Sequence, residues 1–160
     1  MEKMVVSTER LRKEIEASEG RKCLLFGASC FPQAAALRDK MEYLACSDKS
    51  DAALDTIRES AAEMDIHLIP ASELGEDCYF GRFNLIFCLS SFQGLPRLVD
   101  EIMALRRLLI KGGSMVIADR DEDGLYDDCL KQLKRCGFTD PFSEKYEIDG
   151  EPFFLIRVTK

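Results

Sequence analysis

The sequence predicts an α/β fold in which a mostly parallel sheet carries helices on both faces and ends in an antiparallel hairpin. Short apolar runs alternate with amphipathic helical patterns along the whole chain, which is typical of βαβ units. Most of these apolar runs do not alternate with polar residues, as expected for parallel strands that are buried on both sides. Near the end of the chain, Asp149-Gly150 separates two β-type runs, and an Asp-Gly pair in that position indicates a hairpin.

The amphipathic patterns define five helices, which are predicted at residues 8–18, 31–40, 51–64, 95–109 and 125–136. The apolar runs define seven strands, which are predicted at residues 22–27, 42–47, 66–69, 83–89, 114–119, 145–148 and 153–159. Ser50 is a candidate N-cap for the third helix. Lys111-Gly112-Gly113 is interpreted as the end of the fourth helix, and Gly137 as the end of the fifth. Five strands that are each followed by a helix predict a parallel sheet.

Composition narrows the possible partners and compartments. A length of 160 residues suits one domain, residues 1–160, whose first 20 residues contribute an N-terminal helix. The net charge of −7 repels phosphate backbones, so we expect no nucleic-acid partner. No apolar run approaches the roughly 20 residues that span a bilayer, and the N-terminus shows no signal peptide. We therefore expect no membrane association and a cytoplasmic location.

Seven cysteines and one histidine offer little for metal binding or disulfide formation. The cysteine count is odd and no pair has CxxC spacing, so we expect reduced, buried thiols and no metal site. Cys30 starts a predicted helix, where a lowered thiol pKa is conceivable, but no base stands near it in the sequence. His67 lies inside a strand and is interpreted as structural, directed away from the loops or into a helix layer. Residues 119–123 contain four acids, which form either a divalent-cation site or, as we favour, a solvated loop leading into a helix.

The candidate site lies in the loops that follow the strands, because ligands of such sheets bind beyond the carboxyl ends of the strands. Gly27 opens the first of these loops and permits close backbone approach to a ligand, although it can equally serve only to end a strand. Asp48 follows the second strand, 21 residues after Gly27, where dinucleotide folds place an acid that binds ribose hydroxyls. The alternative for Asp48 is a role at the start of the next helix, beside Ser50.

Two further loops add polar candidates. After the third strand, Ser72 or Glu73 can hydrogen-bond an adenine ring, or can cap a short helical turn. After the fourth strand, Leu89 and Ser90 open a loop of small and polar residues. Gln93 in that loop can orient a ligand but is a poor base, since it does not titrate near neutral pH.

Residues 82–91 and 105–119, together with Gly137-Phe138-Thr139 and the final hairpin, resemble the second half of class I S-adenosylmethionine-dependent methyltransferases. The resemblance covers the whole chain in element order, is specific from residue 83 to 119 and around Gly137-Phe138, and is loose before Glu73. It implies a seven-stranded sheet of order 3-2-1-4-5-7-6 with the last strand antiparallel.

The resemblance also implies roles for the candidate residues. The loop of Gly27, Ala28 and Ser29 wraps the methionine part of S-adenosylmethionine in that family. Asp48 matches the acid that binds the ribose, and Ser72 or Glu73 takes the position that meets the adenine.

Three positions depart from the family pattern. Leu25 stands where the family usually has an acid, and Ser29 and Phe31 stand at the second and third glycine positions. If Phe31 points inward, it narrows the cofactor site. The loss of the acid or of a glycine can each weaken cofactor binding by about 1–3 kcal/mol when a polar group of the ligand is left unpaired.

The leading hypothesis is a small S-adenosylmethionine-dependent methyltransferase that acts on a small molecule, with no catalytic residue assigned. The alternative is an inactive methyltransferase-like subunit or regulatory module, in which Phe26 or Phe31 fills a degenerate cofactor site. An NAD-dependent oxidoreductase ranks last, because GxGxxG is absent. The short connections leave no room for a substrate domain, so we expect an open pocket or one completed by a protein partner or a second copy of the chain.

Overall fold

The computed structural model describes residues 4–160. Within this range a seven-stranded sheet has the order β3-β2-β1-β4-β5-β7-β6. The strands are β1 (Lys22–Phe26), β2 (Tyr43–Asp48), β3 (His67–Pro70), β4 (Phe83–Leu89), β5 (Leu109–Arg120), β6 (Thr139–Ile148) and β7 (Glu151–Thr159). The α-helices are α1 (Thr8–Ala17), α2 (Phe31–Ala35), α3 (Asp51–Glu63), α4 (Leu98–Arg106) and α5 (Leu125–Arg135). Strands β1 to β5 pair in parallel and β7 is antiparallel to both neighbours, which confirms the expected fold class and strand order.

The sheet separates two hydrophobic clusters. One contains residues of α1, α2 and α3, and the other contains residues of α4 and α5. Strand β1 contributes to both, since Leu25 packs in the first cluster and Leu24 and Phe26 pack in the second. Burial on both faces explains why the parallel strands are apolar throughout rather than alternating.

The C-terminal hairpin turns at the predicted residues. Asp149 and Gly150 have φ values of 52° and 78°, and positive φ at both central residues is typical of a type I′ turn. Both strands are longer than predicted, because main-chain pairing runs from Thr139 opposite Thr159 to Ile148 opposite Glu151. The buried residues of the hairpin lie in the predicted part of β7, whereas β6 has no buried residue.

The prediction of a helix over residues 95–109 that ends at Lys111-Gly112-Gly113 was wrong. Helix α4 ends at Arg106, and residues 109–113 belong to β5. The end of the chain explains the difference, because the N–H of Gly112 donates to the Lys160 carbonyl (3.0 Å) and the N–H of Lys160 donates to the Gly113 carbonyl (2.9 Å). Pairing between distant segments outweighs the local helical spacing.

One connection is less helical than predicted, and another contains only short helical turns. The segment 31–40 contains the short α2 and a separate 3₁₀ turn (Arg38–Lys40), and the Leu37 N–H bonds tightly to the Ala34 carbonyl, three residues back. Strand β3 is followed by two 3₁₀ turns (Ala71–Glu73 and Asp77–Tyr79) rather than by an α-helix. Among the described residues, no helix is both long and apolar enough to cross a membrane.

The thiols are predicted to differ sharply in reactivity. Burial raises the pKa of Cys23, Cys46 and Cys129 to about 12, and it raises the pKa of Cys88 as well, whereas Cys78 is exposed. Because the thiolate is the reactive form, we expect a disulfide reagent near pH 8 to label Cys78 rapidly and the buried thiols only on unfolding. Cys78→Ser should remove the fast phase; a fast phase that persists in this variant contradicts the burial pattern.

Candidate functional site

Gly27 lies at the point where the loops after β1 and β4 touch. Its φ of 103° is one that side-chain-bearing residues rarely adopt, and a Cβ atom built on it would lie 2.9 Å from the Cβ of Ser91. Its N–H donates to the Ser47 carbonyl at the end of β2 (2.7 Å). Backbone conformation and close packing therefore both require glycine here.

Asp48 joins the first loop to the end of β2. Oδ2 accepts a hydrogen bond from the Ala28 N–H, and Oδ1 accepts one from the Ser50 N–H, each at 2.8 Å. The parallel register, which pairs Phe26 with Ser47, brings the two strand ends side by side. A carboxylate has about four acceptor positions, so two remain for the hydroxyls of a ligand. Asp48 therefore supports the start of α3, which is one of the two roles that the sequence suggested.

Ser72 and Glu73 lie on the same 3₁₀ turn but have different surroundings. Ser72 lines a cleft of about 320 Å³, at the lower end of the roughly 300–1,000 Å³ range of small-molecule sites. Glu73 is exposed and is not among the residues that line this cleft. The structure therefore places Ser72, and not Glu73, at this cleft. The cleft is lined by Phe26, Lys49, Ala71, Ser72, Leu74, Gly75, Phe80, Glu101, Ala104, Leu105, Arg107 and Leu108.

The walls of this cleft include residues that the sequence analysis did not identify. Phe26, Leu105 and Leu108 are buried and supply apolar surface. Lys49, which directly follows Asp48, forms an ion pair with Glu101 of α4. Lys49 could have been identified from the sequence as a cleft residue, because it directly follows Asp48. Glu101 lies in no sequence motif that would have marked it. A cleft with apolar walls, the hydroxyl of Ser72 and the Lys49–Glu101 ion pair suits a flat, weakly polar ring.

The loop after β4 is held by the end of β5. Leu89 is fully buried, and the N–H of Ser90 donates to the Ala118 carbonyl (2.9 Å). Two residues further on, the Phe92 N–H donates to Oδ2 of Asp119 (3.2 Å). The burial of Leu89 in the core and the main-chain hydrogen bond of Ser90 thus fix the position of this loop.

The interpretation of residues 119–123 as a solvated acidic loop was wrong for Asp119. This residue is 1% exposed, and its Oδ1 accepts the Arg120 N–H (2.8 Å). Asp121 and Glu122 are nearer solvent and form ion pairs with Lys145 and Arg120. Within residues 4–160 no group of three His, Cys, Asp or Glu side chains lies close enough to hold a metal ion.

The altered positions of the first loop do not obstruct the cleft. Leu25 and Phe31 are buried in the cluster on the α1 side of the sheet, at 0% and 4% exposure. The cleft opens on the opposite side, where Phe26 forms part of its wall. Cys30 is also buried, and Ser29 is exposed. Phe31 therefore acts as a core residue rather than as an inward-pointing obstruction.

The N-terminal segment packs on the α1 side of the sheet, opposite to the cleft. Val5 and Val6 are each 2% exposed. Tyr146 donates its hydroxyl to the Val5 carbonyl, and Nε2 of Gln33 donates to the Val6 carbonyl (2.5 Å). These contacts hold residues 5 and 6 against β6 and α2.

His67 lies at the amino end of β3, on the far side from the loops, as expected. It is exposed, however, and does not enter a helix layer. Its Nδ1 shares a 2.7 Å hydrogen bond with the hydroxyl of Tyr43. The short β3 strand is an edge strand, so its first side chain lacks a covering helix.

The strand order, the terminal hairpin and the glycine–acid junction give the chain the fold of class I S-adenosylmethionine-dependent methyltransferases. No protein-family model matches the sequence, and no curated protein matches it either. Solved structures do match in fold.

The cyclase SpnF superposes with a TM-score of 0.78 at 12% identity, over 96% of this chain and 79% of SpnF. An S-adenosylmethionine-dependent methyltransferase from Aquifex aeolicus gives 0.76 at 14% identity, over 98% of this chain and 91% of that one. One chain in a complex of the Haloferax volcanii Trm112 methyltransferase activator with a putative methyltransferase gives a TM-score of 0.75 at 11% identity. The match covers 94% of this chain and 87% of that one. Identities this low establish a shared fold, and the fold also serves a cyclase, so the reaction must be argued from the site.

Replacement of Gly27 by alanine should destabilise the protein. The added Cβ meets Ser91 and the backbone is strained, so we expect a loss of about 1–3 kcal/mol in the free energy of unfolding, measured by denaturant titration. Gly75→Ala is the matched control, because its Cβ meets nothing within 4 Å. Equal stability of the two variants would show that the loops after β1 and β4 do not touch.

Proposed function

We propose that this chain is an S-adenosylmethionine-dependent methyltransferase that acts on a small molecule. The observation that carries the proposal is the position of Asp48, which is bonded to the first loop and adjoins the cleft through Lys49. In a class I methyltransferase fold this is the place where an acid meets the ribose of the cofactor.

The described residues fit the adenosine half of the cofactor. The two free acceptor positions of Asp48 suit the two ribose hydroxyls, and the cleft beside it suits the adenine ring. Ser72 provides a hydroxyl for a ring nitrogen or the amino group. Lys49 and Glu101 close one side of the cleft, so their ion pair limits its access to water.

The methionine half depends mainly on the backbone of the loop formed by Gly27, Ala28 and Ser29. Leu25 is buried and brings no carboxylate to the cofactor's ammonium group. The Ala28 N–H is already used by Asp48, so the loop is held in place before any ligand arrives. This arrangement predicts binding that is dominated by the adenosine group.

The bound cofactor supplies an electrophilic methyl group on a sulfonium. Its transfer is an in-line displacement, so the chain contributes chiefly by holding the acceptor in line and excluding water. For this reason we assign no catalytic base.

Access to the site supports a small acceptor or a partner that completes the pocket. The connection between β5 and α5 is short. The neighbour bound to the Trm112 activator makes a protein partner of this chain plausible, and a second copy of the chain is another candidate. Seven free thiols support a reducing compartment such as the cytoplasm.

The alternative of an inactive module has less support. It required Phe26 or Phe31 to fill the cofactor site, but Phe31 packs in the opposite cluster and Phe26 forms a wall of an existing cleft.

Cofactor binding tests the proposal directly. S-adenosylmethionine or S-adenosylhomocysteine at about 100 times Kd should raise the free energy of unfolding by about 2.7 kcal/mol, which thermal shift and calorimetry can detect. Asp48→Asn should weaken binding about tenfold, because one acceptor for the ribose is lost.

Asp55→Asn is the matched control, since Asp55 is an exposed residue of α3 that pairs only with Arg58 among the described residues. It should leave affinity unchanged. No binding of either cofactor form at millimolar concentration would exclude the proposal, and binding without methyl transfer to any acceptor would favour the inactive module.

Phe31→Ala separates a core role from a blocking role. Because Phe31 is buried, we expect a loss of about 3–5 kcal/mol in stability and no gain in cofactor affinity. A variant that binds S-adenosylhomocysteine more tightly than the original chain would show that Phe31 obstructs the site. Binding is measured at a temperature at which the melting curve shows the variant to be folded.

A further inference from the structure

A cavity among the described residues lies at the amino ends of β1 to β4, away from the proposed cofactor site. Its volume is about 950 Å³. Its lining comprises Gly20, Lys22, Glu42, Tyr43, His67, Cys78, Tyr79, Gly81, Arg82, Phe83, Asn84 and Ile110. The second of the two 3₁₀ turns that follow β3 contributes Cys78 and Tyr79 to the lining.

Aromatic rings form one side of this amino-end cavity. Tyr43 and Phe83 stack with their centroids 6.2 Å apart and an angle of 30° between the rings. The Tyr43 hydroxyl is bonded to Nδ1 of His67, which holds the imidazole in place and leaves its Nε2 without a partner among the described residues. Tyr79 lies close enough to Tyr43 to influence its pKa, which burial raises first and Tyr79 raises further. These side chains offer flat faces on which a planar ring can stack.

Positive charge accompanies the rings. Lys22 and Arg82 both line the cavity, and neither forms an ion pair with any residue between positions 4 and 160. Glu42 is the single carboxylate in its lining. In a chain with a net charge of −7, two unpaired cations beside the partly exposed rings of Tyr43 and Tyr79 form a local site for an anion.

We propose that the amino-end cavity binds a small aromatic anion, a planar ring that carries a carboxylate or a phosphate. The ring lies against Tyr43, His67 and Tyr79, and the anionic group is bound by Arg82 and Lys22. The guanidinium of Arg82 suits both groups, because it donates two parallel hydrogen bonds to either.

The cavity is separate from the cleft beside Asp48. Strand β3 lies between them, and the three residue steps from His67 to Pro70 span about 10 Å. The loop between β3 and β4 contributes neighbouring residues to the two spaces, Tyr79 to the cavity and Phe80 to the cleft. A ligand in one space can therefore be distinguished from a ligand in the other.

His67 provides a local probe, because it is the only histidine in the sequence. We expect benzoate and adenosine 5′-monophosphate, added to the full chain with excess S-adenosylhomocysteine present, to shift its imidazole resonances in a saturable way. Benzamide and adenosine are the neutral controls, and inorganic phosphate is the control without a ring. A response to benzoate alone assigns a carboxylate ligand and a response to the nucleotide alone assigns a phosphate ligand; either result supports the site.

Two variants test the assigned contacts. Arg82→Gln should raise Kd at least about tenfold, the effect of losing one charge-assisted hydrogen bond, and Tyr79→Leu should also weaken binding. Arg97→Gln is the matched control, because Arg97 is an exposed arginine outside the cavity. Thermal melts confirm that each variant is folded. The inference is overturned if no probe gives a saturable shift at millimolar concentration, if the neutral compounds bind equally well, or if Arg82→Gln and Arg97→Gln behave alike.

Discussion

The carboxylate of Asp48 is the interaction on which the arrangement of the candidate site depends. Its two oxygens accept the N–H groups of Ala28 and Ser50, so one side chain joins the loop after β1 to the start of α3. A free loop of this kind would lose binding energy to ordering when a ligand arrives. Here the loop is placed by the fold, and the same carboxylate keeps acceptor positions for the ligand.

This junction is supported from the other side by the central strands. Gly27 contacts Ser91 of the loop after β4, and that loop is in turn bonded to the buried Asp119 at the end of β5. Two aspartates at the ends of β2 and β5 thus position the loops between them. Neither aspartate acts by charge alone, since both bind backbone N–H groups, which is a common way to satisfy carboxylates near a sheet edge. These bonds fix the loops after β1 and β4 relative to the central strands.

The sequence was most informative where burial alone decides structure. The apolar runs of β1, β2 and β4 were located to within one residue, because strands buried on both faces admit few polar residues. The end of α4 was misplaced because Leu109 continues the helical spacing while its backbone pairs with Phe83 in the sheet. The same distinction between local sequence and distant packing applies to the residues of the candidate site. Spacing from Gly27 identified Asp48, whereas Glu101 reached the cleft only through the packing of α4 against the sheet.

The sequence by itself determined the fold class, the succession of strands, the hairpin turn at Asp149-Gly150 and the positions of Gly27 and Asp48 at the ends of the first two strands. These features depend on local periodicity, on turn chemistry and on short spacings along the chain. Only the tertiary structure decided that Phe31 packs in the core, that Asp119 is buried, that Ser72 rather than Glu73 meets the cleft and that His67 borders a second cavity. Each of these outcomes depends on which distant segments pack together, and the direction of a side chain relative to those segments is not encoded in the residues beside it.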